Sequence, residues 1–177
     1  MLRPATDADR DAVLRWRNHP EVRAASLTRH EISAEEHAAW WKAALVDPAR
    51  KVLIYERREV PAGVVTFFDI DPDAKSAWWG YYLDGDGLDA TGQLLMAWIE
   101  IQREAVRYGF EELGLDLLEG EVLATNEAVR RLNRRQGFTE VGTSQRDIDG
   151  ESTDVIRIQL RAADARQRQN QARKGTS

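Results

Sequence analysis

Residues 76–125 constrain the fold more than any other stretch of this chain. They read as strand, Gly-bearing loop, long amphipathic helix, strand. Ser76 to Leu83 is rich in Trp and Tyr, a polar loop follows, and Leu94, Leu95, Trp98, Ile101, Ala105 and Val106 then recur at helical spacing. Residues 117–125 return to strand character. A strand that reaches the next strand through a helix leaves the two parallel, with a right-handed crossover. The chain is therefore expected to carry at least one parallel pair in its sheet.

The flanking segments build on that unit. Residues 6–17 read as a helix with Thr6 as N-cap, stopped at Asn18-His19-Pro20. A second helix opens at the capping box of Ser33 and Glu36 and ends at Asp47-Pro48. Residues 51–57 and 62–70 alternate as strands around a turn at 58–61. Residues 126–136 form a short helix closed by Gly137 as a left-handed C-cap. Residues 138–143 and 153–160 pair around Asp149-Gly150. This order predicts a mixed α/β (α+β) fold with one βαβ crossover. One domain is expected over residues 1–160, with 161–177 a polar, basic tail that frays into solvent.

Charge narrows the function. The net charge is −5, but 161–177 carries a surplus of four positive charges, which leaves −9 on residues 1–160. So acidic a body does not suit a nucleic-acid surface. With no cysteine there is no disulfide, thiolate nucleophile or cysteine-ligated metal. No apolar run approaches a membrane span and no signal-peptide pattern opens the chain, so a cytoplasmic protein with no membrane partner is expected. His19, His30 and His37 show no metal-ligand spacing, and no metal is expected.

Two segments carry chemistry. The helix that follows the Gly-bearing loop presents unpaired backbone N–H groups, which suit a phosphate or diphosphate. The loop matches neither a Walker nor a Rossmann fingerprint. On its own it reads as an ordinary βα connection. Asp84, Asp86 and Asp89 oppose an anion there: at about 7 Å in water each costs a unit negative charge roughly 0.6 kcal/mol. They also lack the full ligand set of a calcium loop. The second segment is the helix after Asn126, where Arg130, Arg131, Arg134 and Arg135 surround a narrow apolar face of Ala128, Val129 and Leu132. Arginine forks suit phosphate, although most charge runs are solvated faces balanced by nearby acids.

A strand followed by Asn126, Val129, Leu132 and Gly137-Phe138, about 35 residues after a βα loop, resembles the GNAT superfamily of acyl-CoA-dependent N-acyltransferases. So does the opening, with Leu2-Arg3-Pro4, Trp16-Arg17-Asn18-His19-Pro20-Glu21 and Ile32-Ser33 ahead of Trp40. The similarity covers residues 2–160. It is nearest to the branch that acetylates 4-amino sugars on nucleotide carriers, as in pseudaminic-acid synthesis, and to the branch that acetylates ribosomal-protein N-termini. The resemblance implies a mostly antiparallel sheet splayed between two parallel strands, with helices on both faces. It implies acetyl-CoA or another acyl-CoA as cosubstrate, and a small-molecule amine as acceptor. The acceptor class most in keeping with it is an aminosugar or natural-product intermediate. A protein N-terminal acetyltransferase and a non-catalytic ligand-binding protein are the alternatives, and monomer and homodimer both stay open.

By the same resemblance, the amides of Leu88, Asp89, Ala90, Thr91, Gly92 and Gln93 would hold the CoA diphosphate. This chain keeps only Gly92 of the family's glycines, with Gly87 in the basic position and Ala90 for the first glycine. Pantetheine would lie between the splayed strands, with a backbone N–H near Tyr82 and Leu83 polarising the thioester carbonyl. Asn126, Val129, Asn133, Arg130 and Arg134 would line the cofactor's path. Asn133 stands where the family's tyrosine acid is expected and would hydrogen-bond the sulfur. Tyr81 or Tyr82 could serve as acid, and Glu121 or an ordered water as base. Without cysteine, the amine attacks the thioester directly. Arg17 and Asn18 are candidates for the acceptor pocket. Trp78 and Trp79, adjacent on a strand, face opposite sides; one belongs to the core and the other, taken as Trp79, stacks on a sugar or nucleobase.

Overall fold

The computed structural model describes residues 1–174. Its strands are β1 (Leu2–Pro4), β2 (Lys51–Arg57), β3 (Val60–Asp71), β4 (Ser76–Leu83), β5 (Leu117–Leu123), β6 (Thr139–Ile148) and β7 (Glu151–Arg161). Its helices are α1 (Arg10–Arg17), α2 (Pro20–Ala24), α3 (Ala34–Val46), α4 (Gly85–Asp89), α5 (Leu94–Arg107), α6 (Glu127–Gln136) and α7 (Ala162–Lys174). The strands form one sheet in the order β1-β2-β3-β4-β5-β7-β6. Every adjacent pair is antiparallel except β4 and β5, the pair the crossover requires.

Side-chain alternation divides most of the interior into two cores, beside a small third cluster of Leu123, Ile148 and Val155. Val52, Ile54 and Val64 face Val13 and Trp16 of α1 and Trp41 and Ala44 of α3. Leu53, Tyr55, Val65 and Phe67 face Ala97, Ile101 and Ala105 of α5. The buried face of α5 is built from Ala97, Ile101, Gln102 and Ala105. The β2–β3 hairpin turns through Arg58 and Glu59, both at positive φ, the conformation a tight primed turn needs.

Three local expectations are corrected. Residues 6–17 are not one helix: a 3-10 turn over Asp7–Asp9 precedes α1, with Thr6 and Asp9 capping each other reciprocally. Pro20 does not end the helical region but opens α2, since proline fits the first helical position, where no N–H bond is lost. The expected fraying tail is helical as far as Lys174, because Ala162 and Ala165 bury against the α5 side of the sheet. Residues 175–177 of that tail lie outside the described residues.

The feature that positions everything below is the short contact between β4 and β5. They pair only at Ser76 with Leu117, Ala77 with Leu118 and Trp78 with Glu119. Beyond Trp78 the strands diverge, while β4 stays paired to β3 and β5 to β7.

Candidate active site

The divergence opens a wedge and determines which backbone groups line it. Asp84 N–H donates to Ala62 O at 2.9 Å. Bonding groups recur at every second residue of an antiparallel ladder, so the N–H groups of Tyr82 and Gly80 also point at β3. Those of Tyr81 and Leu83 point the other way, into the wedge. Of the expected pair near the thioester, Leu83 is the backbone donor and Tyr82 is not.

On the α5 side of the wedge lies a cavity of about 230 Å³. Trp79, Tyr81, Leu83, Trp98, Val129 and Asn133 contribute to its walls, and His19, Val22 and Ser26 roof it from α2 and the residues flanking it. Tyr81 is held from both sides: its ring stacks on Trp79 at 5.4 Å and meets Trp98 edge-on at 6.1 Å. Its hydroxyl oxygen accepts from Gln102 Nε2 at 2.9 Å, and the same amide donates to Asn133 Oδ1 at 2.7 Å. Gln102 is fully buried. Among the described residues no protein group takes the Tyr81 proton, which is left for the cleft. Burial pushes the Tyr81 hydroxyl above its ordinary pKa, so it is a donor at neutral pH.

The opposite face of the wedge opens onto a groove of about 830 Å³. Glu121 lines both spaces. Its Oε1 accepts from Arg146 Nη2 at 2.6 Å, and among the described residues its other oxygen has no donor. Two residues back along β5, on the same face, Glu119 is buried and bonded by Arg157, whose guanidinium lies 5.2 Å from the centre of the Trp78 ring. Arg17 also lines this groove. Its Nη2 donates to Thr28 O at 2.7 Å, but its Nη1 is buried with no partner among the described residues. Burial lowers its pKa, the sign of a cation held away from water.

The arrangement can therefore hold a carbonyl against a free backbone N–H and offer a hydroxyl proton from one strand and a carboxylate from the other, where the cavity and the groove meet. The acetyltransferase (GNAT) domain family matches residues 1–139. Two proteins named acetyltransferase PseH, from two strains of Campylobacter jejuni, are similar to this chain. One is 28% identical over 156 residues, covering 88% of each chain; the other is 32% identical over 127 residues, covering 72% of this chain and 74% of the relative.

The chain belongs to the GNAT acetyltransferase family. Its enzyme class is that of an acyl-CoA-dependent acetyltransferase. Solved structures agree at the level of fold. A Vibrio cholerae spermidine N-acetyltransferase in complex with CoA and spermine superposes with a TM-score of 0.78 at 19% identity, covering 93% of this chain and 96% of that one. A Brucella melitensis ribosomal-protein-alanine N-acetyltransferase gives 0.71 at 22% identity, covering 91% and 99%.

Against the family pattern, several expected site residues sit elsewhere than the motifs implied. The loop amides are already bonded: Ala90 N–H to Asp86 O, Thr91 to Leu88 O, Gly92 to Asp89 O and Gln93 to Leu88 O. Leu88 turns its side chain into the core, and Gln93 accepts from Arg57. Along α5 the first bond beyond the loop is Ala97 N–H to Gln93 O. The N–H groups of Leu94, Leu95 and Met96 are consequently the orphan donors of the helix start, and these fit an acyl-CoA diphosphate. The acidic neighbours are partly turned away, with Asp84 Oδ1 capping Gly87 N–H and Asp86 Oδ1 bonded to His19 Nε2.

The arginine helix follows its plainer reading. Arg130 grips both oxygens of Glu140 at 2.9 Å and Arg134 bonds the same carboxylate at 2.8 Å. Asn126 caps α6 by accepting from Val129 N–H. Asn18 is a clamp rather than a pocket group: its side-chain amide exchanges two bonds with the backbone of Ile32, at 2.8 and 2.9 Å. Trp79, 6% exposed, lies between Tyr81 and Phe138 in the core, so the tryptophan that gives its ring face to the groove side is Trp78. Gln102, Arg146 and the roof from α2 were missed. The signal for α2 was Pro20 followed by Glu21, a helix start; Gln102, a polar residue on an otherwise apolar helix face, was also visible. Among the described residues no cluster of three or more His, Cys, Asp or Glu is placed to hold a metal, and no helix is long and apolar enough to cross a membrane.

Proposed function

We propose that the protein transfers an acetyl group from acetyl-CoA to the primary amine of an anionic aminosugar, of the nucleotide-linked 4-amino type. The pantetheine arm would enter the wedge with the thioester carbonyl on Leu83 N–H. Glu121 would take a proton from the acceptor ammonium, and the neutral amine would attack the carbonyl carbon. The new C–N bond forms as the C–S bond breaks, the nitrogen's second proton passes to the departing thiolate or to solvent, and the thiolate sulfur receives the hydrogen bond of Tyr81 as it leaves. A thiol pKa of about 8.5 lies below that of the buried tyrosine, so Tyr81 would stabilise the thiolate without surrendering its proton.

The observation that carries the acceptor reading is Arg17. A buried guanidinium nitrogen without a partner is costly and asks for an anion. It stands in a groove that also holds the exposed part of the Trp78 ring, a surface on which a sugar or base can stack. The similarity to the PseH acetyltransferases supports the same class. A polyamine would meet Arg17 as a like charge, while Glu36, Asp69 and Glu121 also line the groove, so the comparison with spermidine decides between the two acceptors.

The test is thiol release from acetyl-CoA with three acceptors: a nucleotide-linked 4-aminosugar, spermidine, and a peptide with an N-terminal alanine. Turnover is expected with the aminosugar. Arg17→Leu should raise its KM about 10- to 100-fold, the loss of a charge-assisted pair, while leaving the Kd of acetyl-CoA unchanged. Preference for spermidine or the peptide would overturn the proposal.

A further inference from the structure

Gly80 is a glycine the fold does not need. It lies in the middle of β4, opposite Thr66 of β3, and is not among the residues at positive φ. A Cβ built on Gly80 meets no atom within 4 Å. The other strand glycines near the wedge differ. A Cβ on Gly63 would stand 2.8 Å from both Leu83 Cδ2 and Tyr82 O, and one on Gly120 would touch Ile158 and Trp79. A glycine inside a strand weakens it and adds no packing. Neither backbone conformation nor steric demand therefore accounts for Gly80.

Its position does. Gly80 lines both the α5-side cavity and the groove on the opposite face. It follows Trp78↔Glu119, the last β4–β5 pair, so it stands where the strands have begun to part. On its own face of β4 its neighbours are Trp78 and Tyr82. Both are anchored, Trp78 beneath the Arg157 guanidinium and Tyr82 against the α1–α3 core. The two aromatic residues form fixed sides, and the missing side chain of residue 80 leaves a hole between them.

We infer that the space over Gly80 is the passage through which the acceptor amine reaches the thioester, and that residue 80 sets how bulky the carbon bearing that amine can be. This rests on the acyl-transfer reading above, but not on the identity of the natural acceptor. With hydrogen at this position an amine borne directly on a ring passes; each added side-chain carbon narrows the opening.

The experiment compares wild type with Gly80→Ala and Gly80→Val, using acetyl-CoA and two probe amines: hydroxylamine, which carries no carbon, and cyclohexylamine, whose amine sits on a ring. Tm and the calorimetric Kd of acetyl-CoA are measured alongside. The ratio of cyclohexylamine to hydroxylamine transfer is expected to fall about 10-fold in Gly80→Ala and about 100-fold in Gly80→Val. Tm of Gly80→Ala should hold or rise, because its Cβ displaces nothing and glycine's unfolded-state entropy is removed. An unchanged ratio overturns the passage, and so does a lowered Tm of Gly80→Ala, which would show that the glycine serves packing. Wild type that binds acetyl-CoA but accelerates transfer to neither amine overturns it as well. Wild type that gives no heat with acetyl-CoA fails earlier, and removes the acyl-transfer reading with it.

Discussion

Gln102 Nε2 donates at once to Asn133 Oδ1, at 2.7 Å, and to the Tyr81 hydroxyl, at 2.9 Å. One buried amide thus joins the position where the family's acid is expected to a tyrosine on the neighbouring strand. It also makes the Tyr81 oxygen an acceptor, so the single hydroxyl proton is directed elsewhere.

Tyr81→Phe is expected to lower kcat about 10- to 100-fold with little change in acetyl-CoA affinity, since the ring still packs between Trp79 and Trp98. Burial raises the Tyr81 pKa, and the proposed mechanism uses the protonated form, so activity is expected to persist above the ordinary tyrosine range and to fall only at still higher pH. A kcat profile that drops near pH 10, the unperturbed tyrosine value, would contradict this assignment.

Glu121→Gln removes the carboxylate but keeps its shape. Loss of a general base costs about 10²- to 10⁴-fold, and a fall in this range is expected in kcat/KM for the amine. Raising pH should restore part of the rate, because free amine then becomes abundant without help. A variant as active as wild type at neutral pH would leave the task to water.

Arg130 and Arg134 are engaged with Glu140, whose carboxyl they hold below its usual range. Arg130→Gln or Arg134→Gln should therefore leave the Kd of acetyl-CoA within about twofold by calorimetry. A tenfold weakening in either variant would return these side chains to the phosphate.

Arg3 bonds both oxygens of the buried Asp9 carboxylate at 2.8 Å and also reaches Glu56. The Arg3 bonds hold the Asp9 pKa below its ordinary value, about 4. A depressed folded-state pKa means stability that is present above that ordinary value and lost as pH falls through the folded one. Arg3→Met should lower Tm at pH 7, and the gap to wild type should narrow steadily below pH 4. A gap independent of pH would mean that packing of the Arg3 stem, not its charge, matters.

Phe138, 3% exposed, stacks on Trp79 with 5.4 Å between ring centres. Phe138→Ala should destabilise the fold by about 3–5 kcal/mol, the usual range for emptying a large core aromatic site, measured by denaturant unfolding. A cost below about 1 kcal/mol would show that the stack is dispensable.

Much of the fold was legible because its signals are local. Gly137, at φ 104°, is the left-handed C-cap its place after a helical run implied, and it turns the chain so that Phe138 enters the core beneath Trp79. The Asp149-Gly150 turn is likewise at positive φ in both residues. The site was less legible. Which of Trp78 and Trp79 is buried depends on which face of β4 the long helix covers, and alternation alone leaves that two-valued. Whether the amides of 90–93 are free depends on how the loop closes on itself. Whether an arginine meets phosphate or glutamate depends on where Glu140, six residues past Arg134, is carried by the next strand.

From sequence alone came the succession of elements, the crossover that makes one strand pair parallel, and the Gly137 cap, because hydrophobic period and backbone preference act over a few residues. Only tertiary structure decided where β4 and β5 part, which N–H groups face the wedge, and that Tyr81, Gln102 and Asn133 share one chain of hydrogen bonds. Those contacts join residues dozens of positions apart, and the geometry that brings them within 3 Å is set by the packing of the whole sheet against its helices.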